Sequence, residues 1–172
     1  MLFRSSPLLN QNTPCIKIDG ILTDAFSPIE SDEELVFFST GKSAVNTKDI
    51  SVKWPSKNKW LGLCNNLEYV RNANKSIVSG GKIIPLNFGG DIPPFSKVVL
   101  VSSNNLKKNI IDFSNLDYDL YIIFQCGTTN LQSDYLNDNT ATSESVELFI
   151  SAGEDCNDAV KYEPAKLRKN KK

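Results

Sequence analysis

The sequence predicts an all-β chain: an antiparallel β-sandwich, immunoglobulin-like or jelly-roll-like, with extended N- and C-terminal arms. Three observations predict it. Short stretches alternate apolar and polar residues at period two, above all Asp117–Cys126 (DYDLYIIFQC), where Tyr118, Leu120, Ile122, Phe124 and Cys126 form one set. Gly, Pro and Asn punctuate these stretches at nearly regular spacing, as in sandwiches and barrels. No stretch longer than a turn or two carries the apolar stripe of an amphipathic helix.

The chain divides into an N-terminal arm at 1–15, a β-sandwich domain at 16–163 and a basic tail at 164–172. The arm holds Pro7, Pro14 and the polar run Asn10 to Thr13, with too little apolar surface to pack alone. A first strand is expected over Cys15–Leu22, where Ile16 and Ile18 alternate with Lys17 and Asp19, and a second over Glu34–Ser39. Gly41-Lys42-Ser43 resembles the end of a phosphate-binding loop, but Val36 stands where the earlier glycine belongs and no helix start follows. A surface turn is the expectation there.

Ile50–Trp54 alternates until Pro55 stops it. Trp60–Cys64 and Leu67–Arg71 read as short strands. Ser76 to Pro85 reads as a hairpin around Gly80-Gly81, two glycines that can take the positive φ of a type I′ turn. Lys97–Ser102 is continuously apolar, which predicts a central strand buried on both faces. Asn109–Phe113 is a short strand, and Asp117–Cys126 should have one packed and one wet face. Gly127–Glu144 is a long polar loop, of the kind that tends to carry contacts. Ser145–Ala152 alternates again with Phe149 as the exception, and Ala159–Tyr162 adds an edge pairing.

The 172 residues carry 19 Lys plus Arg and 20 Asp plus Glu, a net charge of -1. That balance argues against wrapping by nucleic acid, which needs a basic face. The N-terminus shows no continuous apolar core of a signal peptide, and no run is long enough for a membrane-spanning helix. Without a secretory signal, and with no CxxC pair among Cys15, Cys64, Cys126 and Cys156, the thiols are expected to be reduced and partly buried.

Histidine is absent. Its absence removes the usual general base, the Ser-His and Cys-His pairs and most zinc sites, so no catalytic residue, cofactor or metal site is expected. Asp117 and Asp119 lie about 7 Å apart along a strand, a spacing seen in inverting glycosidases, but any solvent face with acids two apart produces it. Asp134, Asn137, Asp138 and Asn139 offer oxygen ligands to calcium without any EF-hand spacing. Asn74-Lys75-Ser76 matches a glycosylation acceptor by accident.

The expectation is therefore a non-enzymatic structural or interaction protein, a virion component such as a phage capsid auxiliary or head-tail protein, made in the host cytoplasm. Heavy use of Asn, Lys, Ser and Ile fits the AT-rich genomes common among phages. Its partners would be other protein subunits of a larger assembly, with no membrane, and with nucleic acid limited to contact by the basic tail. The candidate contact residues are Leu8 and Leu9 in the arm, Asp134, Tyr135 and Leu136 in the long loop, and Lys166, Arg168 and Lys169 in the tail. The alternative is a carbohydrate-binding sandwich with Trp54, Trp60 and Tyr69 as candidates for an aromatic platform, although the register places Trp54 with Ile50 and Val52 toward the core and leaves Trp60 the freer of the two tryptophans.

Overall fold

The computed structural model describes residues 15–22, 34–56, 59–106, 111–127, 136 and 145–164. Its strands are β1 (Ile16–Leu22), β2 (Leu35–Thr40), β3 (Val45–Asn46), β4 (Ile50–Lys53), β5 (Leu63–Cys64), β6 (Lys82–Pro85), β7 (Asp91–Ile92), β8 (Lys97–Val101), β9 (Asp119–Gln125), β10 (Val146–Ala152) and β11 (Asn157–Tyr162). One helix, α1, spans Leu67–Ser76, and a 3-10 turn covers Thr47–Asp49. The chain is strand-rich, in keeping with an all-β fold.

The largest sheet has six strands, in the order β1-β2-β8-β9-β5 with β6 also paired to β9. β11-β10-β4 form a three-stranded sheet, and β3 and β7 a short ribbon. Most pairings are antiparallel, but β9 runs parallel to both β6 and β8, which corrects the expectation of a wholly antiparallel sheet. Parallel neighbours need crossovers, and residues 86–96 provide one by carrying the chain from β6 over β9 to β8.

Two core clusters lie on either side of the large sheet. The first gathers Val36, Phe38, Val98, Leu100 and Ile123 from that sheet and Ile50, Val52, Leu148 and Ile150 from the three-stranded sheet. The second packs Leu35, Val99, Val101, Leu120, Ile122 and Phe124 under Tyr69 and Val70 of α1. β8 is buried on both faces, as its unbroken apolar run predicts. β9 departs from the expected wet face, since Ile123 and Gln125 are as buried as Leu120 and Ile122. The alternation marked one face of β9, and the second sheet covers the other.

The other corrections to the expected strands fall between Trp60 and Phe113. Leu67–Arg71 is the start of α1, with Asn66 as its cap: the Asn66 side chain accepts from Tyr69 N at 3.0 Å. Tyr69, Val70, Ala73 and Ile77 then fall on one helical face toward the second cluster. The helix runs to Ser76 and residues 77–79 are irregular, so no hairpin forms around Gly80-Gly81. Gly80 does take a positive φ of 88°. Gly81 serves a different need, because a Cβ there would lie 2.4 Å from the Leu116 carbonyl oxygen. Leu63–Cys64 is all that remains of the strand expected over Trp60–Cys64, and Ile111–Phe113 is not strand.

α1 also protects the sheet edge. Asn74 Nδ2 donates to the Ile83 carbonyl at 2.9 Å, while Ile83 N donates to Asn74 Oδ1 at 2.8 Å. One side-chain amide thus takes the place of a missing strand neighbour beside β6. Its nitrogen is engaged, which argues against a glycan at this acceptor sequence. Asn74→Ala is expected to cost about 1–2 kcal/mol, because it leaves both groups of Ile83 without these bonds. Urea denaturation checks this, and a change under about 0.5 kcal/mol would contradict the role.

All four cysteines are paired, correcting the expectation of free thiols: Cys15 with Cys156 and Cys64 with Cys126, their Cα atoms 5.2 and 4.8 Å apart. Cys15–Cys156 ties the start of β1 to the turn before β11, where Ile18 N also donates to Asp158 Oδ2 at 2.7 Å. Cys64–Cys126 bridges β5 and the end of β9. The partners stand 141 and 62 residues apart in sequence, so only the topology brings them together.

Candidate interaction surface

The 86–96 crossover is held down by its apolar residues and presents two rings outward. Leu86 and Ile92 are buried in the first cluster, and β7 pairs with β3. Thr47 clamps the first turn by donating from Oγ1 to the Asn87 carbonyl at 2.6 Å and from N to the Gly90 carbonyl at 2.8 Å. Phe88 and Phe95, on the turns at either end of β7, are 72% and 68% exposed.

Phe95 is unusual in a second respect. Its φ is 58°, the only positive value among the described non-glycine residues. A left-handed conformation costs a side-chain-bearing residue roughly 1–2 kcal/mol. The turn is pinned nonetheless: Thr40 Oγ1 donates to the Pro93 carbonyl at 2.8 Å, Phe95 N to the Gly41 carbonyl at 2.9 Å, Ser96 N to Thr40 Oγ1 at 2.9 Å and Thr40 N to the Ser96 carbonyl at 3.0 Å. A strained backbone fixed from both sides holds an apolar ring out in water. Gly41-Lys42-Ser43 is the turn beside it, with no helix behind, as expected for a surface turn.

A second feature lies on the outer side of the three-stranded sheet. Leu148 and Ile150 of β10 point into the core, which turns Glu147 and Phe149 outward. Phe149 stands directly opposite Lys53 of β4. With Trp54, Pro55 and Glu147 these residues line a cleft of about 290 Å³. Phe149, the exception in its stretch, is thus a half-buried aromatic on the water side.

The proposed aromatic platform does not form. Trp54 is buried, and its Nε1 donates to Gln125 Oε1 at 2.8 Å, while Gln125 Nε2 donates to the Ser102 carbonyl at 3.0 Å. Trp60 packs against the first cluster. Tyr69 lies in the second cluster, across the large sheet, with its ring edge-on to Phe124 at 5.9 Å.

Of the contact candidates, Leu8, Leu9, Asp134, Tyr135, Lys166, Arg168 and Lys169 lie outside the described residues, as do the calcium candidates Asp134, Asn137, Asp138 and Asn139. Leu136 is described and is not available to a neighbour, for it is fully buried in the first cluster. Its N donates to both carboxylate oxygens of Glu34 at 3.0 Å, and its carbonyl accepts from the Tyr162 hydroxyl at 2.6 Å. Glu34, itself 0% exposed, is the most deeply buried acid among the described residues and was not singled out by the sequence. Asp117 and Asp119 are exposed. Among the described residues no group of three or more Cys, Asp or Glu could hold a metal ion, and no helix is long and apolar enough to cross a membrane.

Burial raises the Tyr69 phenol from 10.0 to about 12, and raises Tyr162 further, helped by the nearby negative charge of Glu34. Both folded values exceed the unfolded one, so the folded chain retains protons that the unfolded chain gives up. Stability from these groups is complete below about pH 10 and is lost as pH rises toward and past 12. Denaturant midpoints measured across that range should fall, and Tyr162→Phe should flatten the fall. A flat profile in the unaltered chain would contradict the burial of both phenols.

Comparison with protein-family models, with curated proteins and with solved structures returns no match to this chain.

Proposed function

We propose that the chain is a non-enzymatic structural or interaction protein, a subunit of a virus or phage particle that holds its place by contacts with neighbouring subunits. The observation that carries this reading is the division of labour among its side chains. Buried polar groups such as Glu34, Gln125 and Thr40 are engaged in internal hydrogen bonds, whereas rigid apolar rings stand on the surface. Exposed aromatics on fixed turns suit a contact that buries them.

Two disulfides favour a setting outside a reducing cytoplasm, and particle surfaces are such a setting. This refines the expectation of synthesis in the host cytoplasm: bridges would close once the particle, or the chain, has left it. We also read the two sheets as layers of a β-sandwich around the first cluster. Because immunoglobulin-like and jelly-roll-like sandwiches are built from antiparallel sheets, the parallel pairings of β9 make this a mixed-sheet variant.

Protein analysis of purified particles from the source tests the assignment. The chain is expected in stoichiometric amount and to be released only by denaturant; its recovery solely as free protein would overturn the particle reading. The cleft beside Phe149 and Pro55 supports a second reading, carbohydrate binding, with the Phe149 ring as stacking surface in place of Trp54, which is buried, and Trp60, which is half-buried against the first cluster. Saturable glycan binding that Phe149→Ala abolishes would favour it.

A further inference from the structure

We propose that copies of this chain associate head to tail, with Phe95 of one copy seated in the cleft formed by Lys53, Trp54, Pro55, Glu147 and Phe149 of the next. The inference rests on the reading of the chain as an assembly subunit and names its partner as a second copy.

Phe95 has the properties of an anchor that is ready before it binds. It is 68% exposed, and hydrogen bonds fix the residues on both sides of it, so little ordering remains to oppose docking. Its left-handed φ of 58° is a conformation that glycine would adopt without strain, so folding alone gives no reason for a phenylalanine there.

The cleft has room and chemistry for that ring. An apolar cavity of roughly 150 Å³ accommodates a benzene molecule, and this cleft measures about 290 Å³. Pro55 and Phe149 offer apolar walls, with Phe149 suited to an edge-to-face or offset aromatic pair. Lys53, directly opposite Phe149, can place its ammonium over the incoming ring. Each rim carries one lysine and one acid: Lys53 and Glu147 at the cleft, and Lys97 paired with Asp19 at 3.0 Å near the anchor. Unlike charges can therefore face each other across the contact.

Position decides the mode of association. Lys97, two residues after Phe95, is in register with Leu120 near the start of β9, whereas Trp54 bonds Gln125 at its end. Anchor and cleft thus sit toward opposite ends of the molecule, about 17 Å apart in strand rise alone. Two different patches in contact make a heterologous interface, which propagates into rings or open chains and does not stop at a two-fold dimer.

Sedimentation equilibrium of the full chain, disulfides intact, tests this. The average mass of the unaltered protein should rise with concentration beyond that of a dimer. Phe95→Gly, which relieves the backbone and so should fold at least as well, and Phe149→Thr, which keeps a strand-forming residue, should each weaken association by roughly tenfold or more. Phe88→Ser, removing a comparably exposed ring from a turn of ordinary φ, should leave it intact. Mixed at equal amounts, the Phe95→Gly and Phe149→Thr proteins retain one cleft and one anchor between them and should form a one-to-one dimer that grows no further.

A monomeric unaltered protein, unchanged association in Phe95→Gly, or a mixture that stays monomeric would each overturn the inference. Loss of association with Phe88→Ser would overturn the choice of Phe95. Glycan binding by a monomeric unaltered protein, lost in Phe149→Thr, would give the cleft to a sugar. None of these results would remove the chain from a particle in which protein analysis has found it, so the two readings fail separately.

Discussion

Replacing Cys15 and Cys156 with serine is expected to lower stability by about 5 kcal/mol, and replacing Cys64 and Cys126 by about 4 kcal/mol. These losses follow from the loops that the bridges close, 141 and 62 residues, whose freedom the unfolded chain regains when the links are cut. The first bridge is also a structural seam, since it joins β1 of the large sheet to the turn leading into β11 of the small one. A domain of this size is typically stable by only about 5–15 kcal/mol. Loss of both links should therefore leave it largely unfolded at moderate temperature. Urea titration of the oxidised chain, the reduced chain and the two paired variants measures each step, and identical midpoints before and after reduction would refute the pairing.

Glu34→Ala should cost roughly 3 kcal/mol, the next largest single loss expected. Both carboxylate oxygens accept from Leu136 N at 3.0 Å in a site closed to water. Alanine would leave that buried amide without this acceptor, and a buried donor that loses its partner costs free energy. Glutamine retains an acceptor oxygen but not the charge, so its cost should be smaller, roughly 1 kcal/mol. The Leu136 amide reports the local effect directly, because its hydrogen exchange should accelerate in Glu34→Ala more than in Glu34→Gln. A change within about 0.5 kcal/mol for alanine would show that the carboxylate does not anchor Leu136.

The sequence displayed the strands of this fold well where side chains repeat at period two. β1, β2, β4, β8, β9 and β10 lie within a residue or two of the stretches that alternate or run apolar. It misled where local signals compete. Leu67–Arg71 has apolar and polar residues compatible with either period, and the cap at Asn66 decides for helix. Gly80-Gly81 satisfies the composition of a tight turn, yet one glycine is there for a close backbone approach from Leu116, a residue 35 positions later. The candidate surface was half legible: Phe149 broke its alternation and could be noticed, while Phe95 belonged to no periodic stretch and carried no signal beyond an aromatic after two prolines.

By itself the sequence determined which segments extend, which of their faces are apolar and which chemistries lack their reagents, because these depend on residue type and short-range spacing. Tertiary structure alone decided the pairing of cysteines 141 and 62 residues apart, the parallel partners of β9, the burial of Glu34 against Leu136 and the exposure of Phe95. Each of these is a contact, or the want of one, between residues distant along the chain. The cost of bringing such residues together is met by the whole core at once, so no local pattern encodes it.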